Sequence, residues 1–486
     1  MYSPRPRRVQ VLRFFLLLGT LWFHVPLFGA PQRPNVLFIS IDDLNDWIEP
    51  LGGHPQAKTP HLSRFASQSV NFTNANCPSP GCNPSRTAIM TGVAPYRSGV
   101  YSNYQDWREV LPVRRTLGDH FRKNGYFSAG AGKIFHYHMV DPDCWDEFWP
   151  SQAKNMPEEL FPNFERSASY RPGMPLPKTM HMPPFQNMYG MFGWAALDAP
   201  DAEMGDAKSV DFVLKKLREK RDEPFFLACG IYRPHLPWYV PKEYFDLFPL
   251  DDVQLPKRRK DDLDDVGPRA RDLAARGGGY HNHVLKAGQW KRAVQGYLAS
   301  IAFADAMLGR LLAGLEASGK KDNTIVVVWS DHGWQLGEKQ HWRKFALWDN
   351  VVRSVLMIHV PKTCSAALPL GTADGARCSR PVSLQDIYPT LINLCALVPR
   401  PSIDGHSLTP LLRDPGKPWP HYAITTYDYS EFSVRSERYR YTRYIDGSEE
   451  LYDHQEDPEE WRNLAKDARY ADIKRNHAAA IPKSPA

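Results

Sequence analysis

The chain lacks the features that would place it in several common classes. Seven cysteines in 486 residues are too few for a disulfide-stapled scaffold. A zinc ribbon needs a second cysteine pair, and Cys77 and Cys82 have none at that spacing. No internal repeat is visible, which argues against a solenoid or propeller. The N-terminal apolar run, Phe14 to Phe23, is shorter than the ~20 residues needed to cross a bilayer. A dominant charge is missing too. The formal net charge is +6, and the first 30 residues hold four arginines and no acid, so the remainder carries only +2. The basic balance is therefore no argument for a nucleic-acid partner. With 42% hydrophobic and 23% charged residues, the composition is that of a folded chain, not a disordered one.

What is present starts with the leader. Arg5, Arg7, Arg8 and Arg13 precede the apolar run, and Gly29-Ala30 follow it. That order reads as an export signal over residues 1–30, with an uncleaved anchor as the competing reading. Export implies an oxidising compartment, where disulfides are allowed. Cys364 and Cys378 flank a Gly/Ala-rich loop and are candidates to pair, whereas Cys229 sits in the apolar run FFLACG and reads as a buried thiol.

Four apolar runs read as strands buried on both faces: Asn35 to Ile41, Tyr126 to Ala131, Phe225 to Ile231 and Thr324 to Ser330. Between them, Asp206 to Lys220 and Lys291 to Ser318 space their apolar residues at helical intervals. Alternating strands and helices predict an α/β fold with a large, mostly parallel sheet. The segment 141–201 and the segment 257–283 read as long irregular excursions, the latter including His281-Asn282-His283 as loop. From about Pro410 the pattern turns aromatic and alternating, which predicts antiparallel strands. The expected division is a catalytic domain over 31–410 and a small C-terminal α+β subdomain over 411–486.

In a parallel sheet, ligands bind beyond the carboxyl ends of the strands. Here the four runs lead to Asp42-Asp43, to Lys133, to His235 and to Asp331-His332. Adjacent carboxylates at a strand end suit a hard cation, and the imidazole leaves zinc or manganese open. Other acidic pairs, Asp251-Asp252, Asp261-Asp262 and Asp264-Asp265, lie in polar stretches and read as solvated. Asn71-Phe72-Thr73 matches a glycosylation sequon, a match expected by chance in a chain of this length.

The stretch CPSPGCNPSRTAIMTG, residues 77 to 92, poses the sharpest question. Cys82 can pair with Cys77, or act as a nucleophile with His136 as its base. Ser85 to Thr91 reads as helix, which puts residue 82 near a helix N-terminus, a place that favours anions. Arg86 adds a planar fork suited to oxyanions. Cys82-Asn83-Pro84-Ser85-Arg86, followed by Thr91-Gly92, resembles the type I sulfatase signature C-x-P-S-R-x-x-x-x-T-G. Lys133-Ile134-Phe135-His136 is similar to that family's Lys-x-x-His element. The segments YRPHLPWYVPKEY (232–244) and HGWQLGEKQHWRK (332–344) are most similar to its iduronate-2-sulfatase branch, and ELYDHQEDPEEWRNL (450–464) resembles its closing segment.

The resemblance implies an alkaline-phosphatase-like fold and a sulfatase acting on a sulfated saccharide. It implies that a formylglycine-generating enzyme oxidises Cys82 to formylglycine, which leaves six cysteines. Asp42, Asp43, Asp331 and His332 would hold Ca2+ together with residue 82. The hydrated aldehyde would attack sulfur and expel the alcohol, and breakdown of the resulting hemiacetal would release sulfate. Arg86 and Lys133 would steady the diol, His136 would serve as base, and His235 and Lys344 would hold the ester. His235 would also protonate the leaving oxygen. The rivals are a phosphonate or phosphate ester hydrolase with the same nucleophile, and an inactive carbohydrate-binding relative. The expected location is periplasmic or secreted, or lysosomal in an animal.

Overall fold

The computed structural model describes Met1 and residues 33–111, 115–136, 139–150 and 192–483. The export signal, beyond Met1, and most of the 141–201 excursion lie outside the described residues.

An eight-stranded sheet organises the chain. Its strands are β1 (Asn35–Ile41), β2 (Val70–Phe72), β3 (Phe127–Gly132), β4 (Glu147–Trp149), β5 (Phe225–Ile231), β6 (Thr324–Trp329), β7 (Leu356–His359) and β8 (Arg377–Cys378). Their order across the sheet is β8-β2-β7-β6-β1-β5-β3-β4. Only β7 runs against its neighbours. The central strands read as unbroken apolar runs because both faces are covered. Leu37, Ile39 and Ile41 enter one core cluster, while Val36 and Phe38 enter the other.

Among the helices are α1 (Cys82–Thr91), α2 (Gly205–Arg218), α3 (Arg276–Lys286), α4 (Trp290–Ala317) and α5 (Ala471–Ala479). The apolar stripes of α2 and α4 close the first core. Helix α4 is long and apolar enough to span a bilayer, but its side chains are largely buried against this core. Ile89 and Met90 of α1 pack into the second core. Strands β9 (Ala423–Tyr427), β10 (Glu431–Arg435), β11 (Tyr439–Arg443) and β12 (Glu449–Asp453) form an antiparallel meander, and α5 packs beside it. The meander is anchored to the main body: Thr425 Oγ1 donates to the Cys77 carbonyl at 2.6 Å.

Several sequence expectations need correction. His281 to His283 lie in helix α3, not in a loop. The three glycines of its first turn lower helix propensity, but Tyr280 and Val284 are buried and hold the helix against the core. All seven cysteines are buried free thiols, so Cys364 and Cys378 do not pair. Asp262 is not solvated; it is 3% exposed and receives a 2.7 Å bond from Lys339 Nζ. The sequon needs no correction: Asn71 is buried in β2, in keeping with a chance match.

Candidate active site

Strand register assembles the site. Gly132, Gly230, Ser40 and Trp329 form one row across β3, β5, β1 and β6. The strands end at or within one residue of this row, so Lys133, Asp42, Asp43, Asp331 and His332 emerge along one edge. Two glycines permit the close approach. A Cβ on Gly230 would stand 2.2 Å from the Lys133 carbonyl carbon, and Gly132 has φ +73° with no room beside the Gly230 carbonyl. The backbone after β1 turns sharply, with Asp43 at φ +58°. Tyr297 of α4 pins that turn, donating its hydroxyl to the Asp43 carbonyl at 2.7 Å and accepting from Asn45 N at 3.1 Å.

Cys82 is the first residue of α1, with Gly81 as N-cap, and every residue of this helix is buried. Its Sγ lies 2.8 Å from Lys344 Nζ, 3.4 Å from His332 Nε2 and 3.8 Å from Lys133 Nζ. Lys344 Nζ also donates to Asp43 Oδ1 at 2.7 Å, and Lys133 Nζ pairs with Asp42 Oδ2. The structure thus gathers Asp42, Asp43, Cys82, Arg86, Lys133, His235, Asp331, His332 and Lys344 in one buried cluster. His136 is buried three residues beyond Lys133.

Arg86 spends its hydrogen bonds on the acidic cluster and the strand end. Its hydrogen bonds go to Asp331 Oδ2 (2.9 Å), Asp42 Oδ1 (2.9 Å), Ser40 Oγ (3.4 Å) and the carbonyls of Lys133 and Ile134, not to Cys82. It fixes two carboxylates and the strand end, so it is a positioning residue for the acidic cluster. Ser85 was missed by sequence reasoning, yet its Oγ bonds the Asp331 carbonyl at 2.6 Å. Tyr297 was missed too; only its place on the α4 stripe was visible in the sequence.

The electrostatics follow from burial against charge. Burial and the nearby Asp331 push the Cys77 thiol up, and hydrogen bonding with Thr425 and Ser354 offsets only part of it. The same burial acts on Cys82, but Lys133 and Lys344 outweigh it and bring that thiol below its ordinary value. Burial raises Asp43 to about 7 despite Lys344, while Asp42 is lowered because Lys133 and Arg86 overcome burial and the nearby Asp331. Burial opposes the charge on His332, but Asp331 raises it to about 9. Burial, Lys133 and Lys344 hold His136 and His235 neutral. His235 turns Nδ1 to the Leu236 carbonyl at 2.6 Å and Nε2 towards Asp43 Oδ2 at 3.7 Å.

These residues fit a divalent cation. Asp43, Cys82, Asp331 and His332 offer donor atoms within 4.8 Å of one another. Asp43 Oδ2 is buried without a hydrogen-bond partner. His332 gives Nδ1 to the Gly333 carbonyl at 3.0 Å, which orients Nε2 into the cluster as in many metal-ligating histidines.

A family model described as "Sulfatase" matches residues 34–396. The chain belongs to the sulfatase family. A second model, "N-sulphoglucosamine sulphohydrolase, C-terminal", matches residues 337–484 of this sulfatase. A "Sulfatase" of Formosa agariphila is 36% identical over 97% of this chain and 92% of its own. The iduronate 2-sulfatase of Mus musculus is 28% identical over 74% of this chain and 66% of its own. In fold, the chain is similar to a phosphonate monoester hydrolase of Agrobacterium radiobacter. That match has a TM-score of 0.73 and 22% identity, covering 92% of this chain and 94% of the other.

Proposed function

We propose that this sulfatase hydrolyses a sulfate monoester of a saccharide, using formylglycine derived from Cys82 and a Ca2+ ion. The observation that carries the reading is the setting of Cys82. A buried thiol at the first position of a buried helix is surrounded by two ammonium groups, an imidazole and carboxylates within reach of one cation. Cys82 Sγ marks where the oxygens of the hydrated aldehyde would lie. Asp42, Asp43, Asp331 and His332 would hold the cation with residue 82; three carboxylates favour a hard ion. The diol would supply the oxygen nucleophile and the cation would stabilise charge on the sulfate oxygens.

The chain's own residues do the rest. Lys344 and Lys133 direct their charges at residue 82 and would bind the peripheral sulfate oxygens. Neutral His136 is ready to accept a proton. His235 also carries a free electron pair on Nε2 when Nδ1 donates to Leu236. For it to protonate the leaving oxygen, the incoming anion must offset Lys133 and Lys344. Similarity over 232–244 and 332–344 and the iduronate 2-sulfatase relative support a sulfated uronic acid as the finer reading. Export through residues 1–30, to the periplasm or outside the cell, and maturation by a formylglycine-generating enzyme belong to the same proposal, as does a C-terminal subdomain over 411–486.

The test is mass spectrometry of the tryptic peptide Phe65–Arg86 from protein made in its native host. Aldehyde or hydrate at residue 82 is expected. Unmodified cysteine in a preparation that turns over sulfate esters would remove the proposed nucleophile. Comparing kcat/KM on matched sulfate and phosphate esters separates the sulfatase from the phosphonate or phosphate hydrolase. Ligand binding without turnover would point to the inactive relative.

A further inference from the structure

Asp43 is held in a conformation that a side-chain-bearing residue rarely adopts, with φ at +58°. Such a residue persists only where its surroundings over-determine it. Relaxing to negative φ would re-aim the Asp43 carboxylate, which lies among the donor atoms of the cation cluster. What holds this turn therefore also holds a ligand.

Two fully buried hydroxyls, from distant parts of the chain, hold it. Tyr297 Oη, on α4, donates to the Asp43 carbonyl at 2.7 Å and accepts from Asn45 N at 3.1 Å. One hydroxyl thus brackets the strained residue. Its ring packs against Trp47 and Trp238, with centroids 5.5 and 5.3 Å away. Ser330 Oγ, just past the end of β6, accepts from Leu44 N at 3.0 Å and donates to the His332 carbonyl at 2.9 Å. It joins the turn after β1 to the turn after β6. Two further bonds run between the same turns. Asp43 N donates to Asp331 Oδ1 at 3.2 Å, and Asn45 Nδ2 donates to the Trp334 carbonyl at 3.1 Å. Asp43, Asp331 and His332 thus stand on two turns that are fastened to each other, and each hydroxyl uses both its proton and a lone pair.

Resting on the Ca2+ reading, we propose that Tyr297 and Ser330 are positioning residues for the cation, which lock the two ligand-bearing turns at the spacing a hard ion needs. Each acts through a ligand's backbone: Tyr297 through Asp43, Ser330 through Leu44 and His332. Groups that orient metal ligands in this way change metal affinity by about 10–100-fold when removed. A purely structural hydroxyl would stabilise the metal-free and metal-loaded forms alike. A positioning hydroxyl stabilises the loaded form more, because the affinity depends on it.

The experiment strips protein from its native host with chelator and titrates Ca2+ by calorimetry, on wild type, Tyr297→Phe, Ser330→Ala and Thr425→Ala. Tyr297→Phe keeps the ring and its packing. Thr425 is the control, a buried hydroxyl that joins the meander to the Cys77 carbonyl and belongs to neither turn. Urea unfolding with and without Ca2+ reads the stability of each form. Tyr297→Phe and Ser330→Ala are expected to raise the Ca2+ Kd about tenfold or more, with a stability deficit larger in Ca2+ than in chelator. Thr425→Ala is expected to show one deficit in both conditions and the wild-type Kd. A Kd unchanged in Tyr297→Phe, with equal deficits in both conditions, would overturn the proposal and make the hydroxyls structural; that variant decides if Ser330→Ala fails to fold. A Kd raised as much in Thr425→Ala would overturn it too, since any buried hydroxyl would then serve. Wild type that binds no Ca2+ would overturn the cation reading, and the positioning role with it.

Discussion

Two buried charge clusters in this molecule use similar residues for different ends. The first is the site around Cys82. The second lies where the C-terminal meander meets the segment after Lys344, and there Asp349, His454 and Glu460 also bring potential ligand atoms within 4.8 Å. In that second cluster the counter-charges are mostly guanidiniums. Arg353 Nε donates to Asp349 Oδ2 at 2.7 Å, Arg440 donates to Glu460, and His454 Nε2 meets Glu460 Oε1 at 2.8 Å. Arg435 is buried close by. Burial would raise the carboxyls, but the arginines and His454 outweigh it, so Asp349 is lowered and Glu460 falls to about 2. In the first cluster, burial wins at Asp43. Two of its three permanent cations are lysines, flexible point charges that can redirect to a ligand, whereas arginine forks stay with their carboxylates. The carboxylates of the second cluster are held charged by arginines, whereas the first leaves Asp43 under-compensated where a cation would sit.

The largest expected effect tests the first cluster. Cys82→Ser should lose about 10^3-fold or more in kcat/KM, roughly 4 kcal/mol of transition-state stabilisation, without unfolding. Cys77→Ser should retain most of the activity, because Cys77 faces the Val351 carbonyl at 3.9 Å, away from the ammonium groups. Equal loss in both would mean that residue 82 has no special chemistry.

The next test asks whether the two clusters differ in charge balance. Asp349→Asn removes one of the two carboxylates on Arg353, leaving Asp46 at 2.6 Å, and should cost about 3 kcal/mol in urea unfolding. Asp43→Asn in chelator-treated protein should cost nothing or stabilise, since that carboxylate is already disfavoured. A similar deficit in both would erase the distinction. A smaller effect comes from the cation. Removing Ca2+ should abolish turnover and lower stability by about 2.7 kcal/mol, relative to protein at a hundredfold excess over Kd. Asp349→Asn should leave that metal dependence intact. Stability unmoved by chelation would remove the cation from the first cluster.

The first cluster was legible in the sequence because its residues sit at the ends of strands buried on both faces. Such strands leave unbroken apolar runs, so Asn35–Ile41 and Phe225–Ile231 could be read to the residue. The second was not legible. Asp349 and Arg353 stand four apart and hint at a pair, but His454 and Glu460 lie about a hundred residues on and join them only through tertiary packing. The charged 257–283 stretch misled for a similar reason. Asp262 is buried because Lys339, distant in sequence, folds over it. His281 is buried in α3 because Trp342 Nε1 donates to its Nδ1 at 3.1 Å. The Arg86 contacts were missed because a signature names residue types without saying which neighbours they touch.

The smallest effect is a pH dependence carried by Glu460 of the second cluster. The Glu460 carboxyl is held at about 2, below its ordinary 4.5. A lowered acid contributes stability above its unfolded value, and that contribution is lost as pH falls towards the folded one. Wild type should therefore lose roughly 1 kcal/mol through this group between pH 7 and pH 4. Glu460→Gln cannot titrate, so its deficit against wild type should be constant from pH 8 to 6 and shrink below pH 5. Urea unfolding at pH 7, 5 and 4 reads this directly. Cys82→Ser should follow the wild-type acid limb, because it leaves the Arg440–Glu460 pair untouched. A Glu460→Gln deficit that stays constant down to pH 4 would mean that shape, not charge, holds the meander to the body.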